Sequence, residues 1–392
     1  TVGGAKSLSE GGTEAMGFSP SLQAFVYYKV EGNTWVRKGD GSQVPTMTKG
    51  TDRPFECITC HSSGAPLMKE IHDGWGNWES TWFGMEEPAG ANPLFKKLFE
   101  RRDIADFLEK RIIAGIKLHS KGRVDRAAKD GKLKGVLTQL MCEVGEPSLI
   151  GAHSPNQDRL GTVQTFSSML PTSILINQLL VPPRTGGTGV QLGLEESLKM
   201  SVPSLNTIGQ GIDSDAYSKE IKAMGQKIGG KAGDAIFPMG SPEKSHADLD
   251  AIQELLRQKL IDQDIVADVL MTDFTVSSFS DVRCALADTL PDTWKTPKEL
   301  KTAWAKNLEK SPLRGAKGLR ARLMKESDLK DHEKKVEAFA KACADRPAAE
   351  LTKDVLKVMS QRRVEFVERY EPVVESPWLI PTDNLRSATH AV

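Results

Sequence analysis

The pattern that most restricts this chain is Cys57-Ile58-Thr59-Cys60-His61, two thiols two residues apart with an imidazole directly after the second. In 392 residues holding 5 Cys and 7 His, about 0.001 chance matches are expected, so the pattern calls for a chemical reason. A zinc ribbon needs a second cysteine pair, and Cys142, Cys284 and Cys343 each stand alone. A thioredoxin-like redox pair needs a βαβ setting, whereas the flanks here are rich in Pro, Gly and Ser and carry no clear buried strand.

What the spacing does suit is a porphyrin. Two thiols one short turn apart can add to the two vinyl groups on one edge of the ring, which holds the following histidine against the haem face as an iron ligand. On these residues the chain resembles the c-type cytochromes. The resemblance is carried by residues 57 to 61 and by the helix expected after them, so it fixes a cofactor more firmly than a reaction. It implies one covalent haem c, tethered by Cys57 and Cys60, with His61 as the proximal ligand. It further implies one-electron transfer, a redox partner protein and a periplasmic or otherwise extracytoplasmic site, because haem c is attached outside the cytoplasm in bacteria. The opening Thr1-Val2-Gly3 suits a chain whose signal peptide has been removed.

Length then raises a question, since a single-haem carrier needs about 100 residues and this chain has 392. Composition answers only by exclusion. Lys plus Arg equals Asp plus Glu at 52 each, so no global basic bias points to nucleic acid. No apolar run approaches the roughly 18 residues that a membrane span requires. An oxidising compartment permits one disulfide among the remaining cysteines. Cys284 with Cys343 is the expected pair, because both fall in helical C-terminal stretches, and three buried free thiols are the alternative.

The expected fold is mainly α, in three regions. Residues 1–144 form the haem-binding region. It opens with an irregular arm over residues 1 to 22 and a β-hairpin from Gln23–Val30 and Thr34–Lys38 around Glu31-Gly32-Asn33. The hairpin aromatics read first as local core and second as a lid on the haem. After the motif, Trp75 and Trp78 stand in a tryptophan-rich stretch and are candidate walls of a haem pocket. Helical spacing of apolar residues then predicts a helix from about Asp103 to His119 and a shorter one ending at Cys142. Residues 145–244, dense in Pro and Gly, read as a loop-rich middle segment or the wall of a site. Residues 245–392 return to helix, with strongly charged outer faces over Pro297–Lys310, Gly315–Lys325, Leu329–Ala344 and Pro347–Tyr370. The basic residues Arg314, Lys317, Arg320, Arg322 and Lys325 read as a solvated face, with a docking surface for an acidic redox partner as the second reading.

Function turns on the iron ligand opposite His61. Met239, in Phe237-Pro238-Met239-Gly240, occupies a Pro-flanked loop similar to the distal Met loop of small c-type cytochromes, although it follows His61 much later than in that family. His119, at the expected end of its helix, is the other named candidate, and an open position is the third possibility. His246, His332 and His390 sit among charged residues and are expected at the surface. A Met or His ligand fits an electron carrier. An open position fits a haem enzyme acting on a small oxidant or an apolar substrate, and the extra helices leave room for a haem-bearing subunit of a larger redox complex.

Overall fold

Ala24-Phe25-Val26-Tyr27 are all buried, and this run forms the middle of a three-stranded antiparallel sheet. The structure is a computed structural model describing residues 14–32, 34–43, 56–59, 61, 63–66, 105–142, 145–150, 175–176, 184–185, 191–192, 202, 208, 211, 213, 215–216, 239–244, 246–276, 280–325 and 329–369. The strands are β1 (Glu14–Ser19), β2 (Ala24–Glu31) and β3 (Thr34–Asp40), with β2 central. The expected hairpin is present, turning at Gly32 with φ +62°. The expected irregular arm is corrected over Glu14–Ser19, which pairs along β2 from Glu14↔Lys29 to Ser19↔Ala24. Its few apolar residues escaped notice among Gly and Ser, but Phe18 meets Phe25 edge-on, with ring centroids 5.3 Å apart.

Helix α1 (Ala105–Lys129) packs against this sheet and is the spine of the first part of the chain. It was expected to stop at His119 and runs ten residues further, as the span Ala105–Lys129 records. The extension keeps Val124 fully buried and carries a Lys121–Asp125 ion pair one turn apart, so its charged look in sequence hides a helix with an inner face. Gly115 and Gly122 let β2 and its turn approach closely. A Cβ on Gly115 would lie 2.9 Å from the Phe25 ring, and one on Gly122 would lie 2.8 Å from Gln23 Cβ. On another side, α1 lies along helix α3 (His246–Arg257). Ser120 Oγ donates to Ala247 O at 2.9 Å, and Arg123 reaches Asp248 at 3.2 Å in an ion pair that is nearly out of solvent. Helix α2 (Leu133–Cys142) adds Leu133, Leu137, Leu140 and Met141 to the same core.

The middle segment contains strands where only loop was expected. Strand β4 (Gly145–Ile150) pairs antiparallel with β7 (Met239–Lys244), from Gly145↔Lys244 to Ile150↔Met239. A short β5 (Arg184–Thr185) pairs with β6 (Gln191–Leu192). Pro147 lies opposite Pro242, and such ladders join residues far apart in the chain, so no local alternation announces them. Helix α9 (Ala348–Arg369) packs along β7.

The C-terminal helices follow their sequence signals closely. After α3 come α4 (Gln263–Leu270), α5 (Asp281–Ala285), α6 (Pro297–Glu309), α7 (Ala316–Met324) and α8 (Leu329–Ala344). The caps are local: Asp262 accepts from Ile265 N, Ser280 from Arg283 N and Thr296 from Glu299 N, with Pro297 in the first turn of α6. The core they enclose is apolar but polar at its pegs. Trp304, fully buried, donates Nε1–H to Thr289 Oγ1 at 2.8 Å, and Trp294 donates to Leu260 O at 2.8 Å. About 63% of the described residues are helical, which makes the fold mainly α. No described helix is long and apolar enough to cross a membrane.

Two sequence expectations are corrected here. Cys284 bonds to Cys142, not to Cys343, whose buried thiol stays free. Shared helical character said nothing of proximity, and α2 packs beside α5, which brings Cys142 and Cys284 together. His332 is also not at the surface. It is 5% exposed, with Nε2 2.9 Å from Asp268 Oδ1, because it shares an inward stripe with Val336, Ala340 and Cys343 while its charged sequence neighbours face out.

The disulfide joins residues separated by 142 positions, and a cross-link of that span removes much of the unfolded chain's freedom. Replacing both Cys142 and Cys284 with Ala is expected to cost roughly 2–5 kcal/mol in chemical denaturation. An unchanged denaturation midpoint would show that the bond contributes nothing.

Candidate functional site

The motif is presented on a single 3₁₀ turn, Glu56–Thr59, fixed from within by Ile58, whose side chain is completely buried in the core. His61 N–H donates to Cys57 O at 3.0 Å, and Gly64 N–H donates to His61 O at 2.8 Å. The chain therefore turns twice in succession. Cys57, half-buried and outside any disulfide among the described residues, opens that first turn, and His61 closes it. Gly64, with φ +76°, supplies the left-handed residue that reverses the chain.

The reversal returns Ala65 to the His61 ring, where its carbonyl lies 2.9 Å from Nδ1. A carbonyl can only accept, so Nδ1 carries the hydrogen and Nε2 keeps the lone pair. Among the described residues His61 Nε2 has no hydrogen-bond partner. Burial holds the His61 pKa below the ordinary histidine value, opposed by the Ala65 carbonyl and the Glu14 carboxylate, which favours the neutral imidazole that a metal requires. The Tyr27 ring flanks it at 5.5 Å between centroids. Tyr27 and Phe25 are thus core residues, as their first reading had it, and Tyr27 also borders the motif histidine.

His119 comes to the same place from α1. It is completely buried, Nε2 lies 3.0 Å from Ser63 O, and Phe25 packs on its ring at 5.8 Å. On its far side Gly41 approaches so closely that a Cβ there would lie 2.5 Å from Gly64 O and 2.6 Å from His119 Cε1. Gly41 is held there by Asp40, which pairs with Arg37 and accepts from Ser42 N at 2.9 Å. Burial, then the charge of Arg123, push the His119 pKa down to about 3.

The structure thus brings together Cys57, His61 and His119, with Ser63, Ala65, Gly41 and Tyr27 around them. Sequence reading missed Ser63, Ala65 and Gly41, because backbone carbonyls and a side-chain-free contact leave no signature in residue type. Met239 lies in β7, opposite Ile150. Cys60, Trp75 and Trp78 lie outside the described residues. Among the described residues no three His, Cys, Asp or Glu side chains converge as a tetrahedral metal site requires. A thiol and a metal-competent imidazole in one turn, with the imidazole's other nitrogen fixed by a carbonyl, do fit a covalently held haem.

Because His119 titrates near 3 in the folded chain and near 6.5 when unfolded, the unfolded chain binds an extra proton between those values. Its neutral burial therefore contributes fully above pH 6.5 and is lost as the pH falls toward 3. Urea denaturation of the wild type across that window should show a component of about 1.4 kcal/mol per pH unit that is absent from His119→Gln. Parallel pH profiles for the two proteins would contradict the assignment.

No protein-family model, curated protein or solved structure matches the chain.

Proposed function

We propose that this chain is a monohaem c-type electron-transfer protein of the periplasm or another extracytoplasmic compartment. The observation that carries the reading is the His61 ring: Nδ1 is committed to the Ala65 carbonyl, and Nε2 is left as the free donor in the turn that also bears Cys57. The Cys142–Cys284 bond supports an oxidising compartment. When bound, the haem supplies a one-electron Fe(III)/Fe(II) couple.

The chain's own residues do the rest. Cys57 and Cys60 would tether the group, and His61 would hold the iron through Nε2. The Ala65 carbonyl draws on the Nδ1 proton, which makes the imidazole a stronger donor and would favour the oxidised iron when haem is bound. Buried Ile58 keeps the turn from swinging. As a second iron ligand His119 would be disfavoured against Met239 or an open position, because its Nε2 is taken by Ser63 O and the Gly41 backbone lies against the Nδ1 side of its ring. An open position would make the chain a haem enzyme, with residues 145–244 shaping its substrate site. A redox partner protein completes the carrier reading, and exposed Arg314, Lys317 and Lys325 at and beside α7 offer it a surface, whereas Arg320 pairs with Glu309 and Arg322 turns inward to Asp268 O.

The test is expression with a haem c maturation system, followed by denaturing electrophoresis stained for haem and by optical spectra with and without carbon monoxide. Covalent haem in the wild type and its loss in Cys57→Ala and Cys60→Ala are expected, together with a low-spin iron indifferent to carbon monoxide. A chain that takes up no haem would sink the reading. A high-spin iron that binds carbon monoxide would replace the carrier with the enzyme.

A further inference from the structure

His119 is an expensive residue to bury. Its Nε2 faces a carbonyl and must carry the hydrogen, so Nδ1 is left as an acceptor, and among the described residues that atom has no hydrogen-bond partner. An unsatisfied buried acceptor destabilises the folded chain, a cost that leucine packed against Phe25 would avoid. The one interaction an apolar side chain cannot reproduce there is the hydrogen bond to Ser63 O.

That carbonyl sits in the middle of a closed unit. His61 O accepts from Gly64 N, His61 Nδ1 reaches Ala65 O, and Ser63 lies between the two contacts. Among the described residues the unit is also held by Ile58 before it, by the Tyr27 ring beside His61 and by Gly41 pressing on Gly64 O and on the His119 ring. Helix α1 is in turn anchored to α3 through Ser120 and through the Arg123–Asp248 pair within about one turn of His119.

We propose that His119 is a positioning residue for the motif: from within α1 it holds Ser63 O, and thereby keeps the Ala65 carbonyl on His61 Nδ1 and His61 Nε2 in a fixed direction. The proposal rests on the haem reading, and it gives His119 a role behind the ligand rather than as one. His119 stays neutral over the working pH range, since burial holds its pKa near 3, so the clamp is a neutral hydrogen bond that does not switch. It also gives Gly41 a purpose, since any side chain there would displace both the ring and the turn.

The test uses full-length holoprotein in the wild type, His119→Leu, His119→Gln and Gly41→Ala forms. Two quantities are read: the midpoint potential, and the pH at which acid detaches His61 from iron, followed in the Soret band. Leucine removes the donor, so the Ala65 carbonyl drifts from Nδ1 and the imidazole becomes a weaker donor. The potential should therefore rise, and the acid transition should move to higher pH by about a unit, a tenfold weaker hold on the ligand. Glutamine retains an amide N–H for Ser63 O and should return both quantities most of the way toward wild type. Gly41→Ala should shift both in the same direction as leucine, which keeps the proposal testable if His119→Leu does not fold. Loss of stability with both quantities unchanged in the folded variants would overturn the positioning role and leave the haem reading intact. A wild type without covalent haem would overturn both.

Discussion

The close approach of β2 to α1 is the contact on which the rest of the site depends. Gly115 and Gly122 remove side chains where Phe25 and Gln23 press in, and His119 lies on the helix between them. The helix is thereby near enough for an imidazole in its interior to reach a backbone carbonyl of the motif loop. A bulkier residue at Gly115 would push Phe25 away, and Phe25 is the surface on which His119 rests. Packing density of this kind leaves little slack, so a displacement of the strand is felt at the loop.

The motif loop shows how a reactive sequence is made rigid without regular secondary structure. Cys57 O, His61 O and Ala65 O accept from within the loop, the last from His61's own ring, and its one large apolar side chain, Ile58, is driven into the core. Loops that carry chemistry are normally positioned by a scaffold. Here the scaffold acts through three contacts of different kinds: an apolar peg, a hydrogen bond from His119 and the bare backbone of Gly41. The Asp40 network behind Gly41 extends that support into β3.

The C-terminal helices contribute by closing the core against α1 and α2. The core includes Phe25 and Ile58 of the motif region together with Leu255, Trp304 and Leu351 far along the chain. The Cys142–Cys284 bond crosses between those parts at α2 and α5. Buried polar groups are placed at the same junctions. Arg283 donates to Thr272 O at 2.7 Å, and Asp268 meets His332, so the helices are fixed in register as well as packed.

Sequence by itself determined what depends on near neighbours along the chain. The thiol-thiol-imidazole spacing, the hairpin around Gly32 and the C-terminal helices with their apolar stripes were all legible, because a turn or a helical face joins residues within four positions of each other. Tertiary structure alone decided what depends on distant chain. It paired Cys142 with Cys284, laid β4 on β7, continued α1 past His119 because Val124 has a core to enter, and turned His332 inward toward Asp268. It also set His119 on Ser63 O and Gly41 against both, contacts made to a backbone that looks the same at every residue. The difference is physical: local order follows from side-chain type and spacing, whereas these contacts exist only once burial has brought separate segments together.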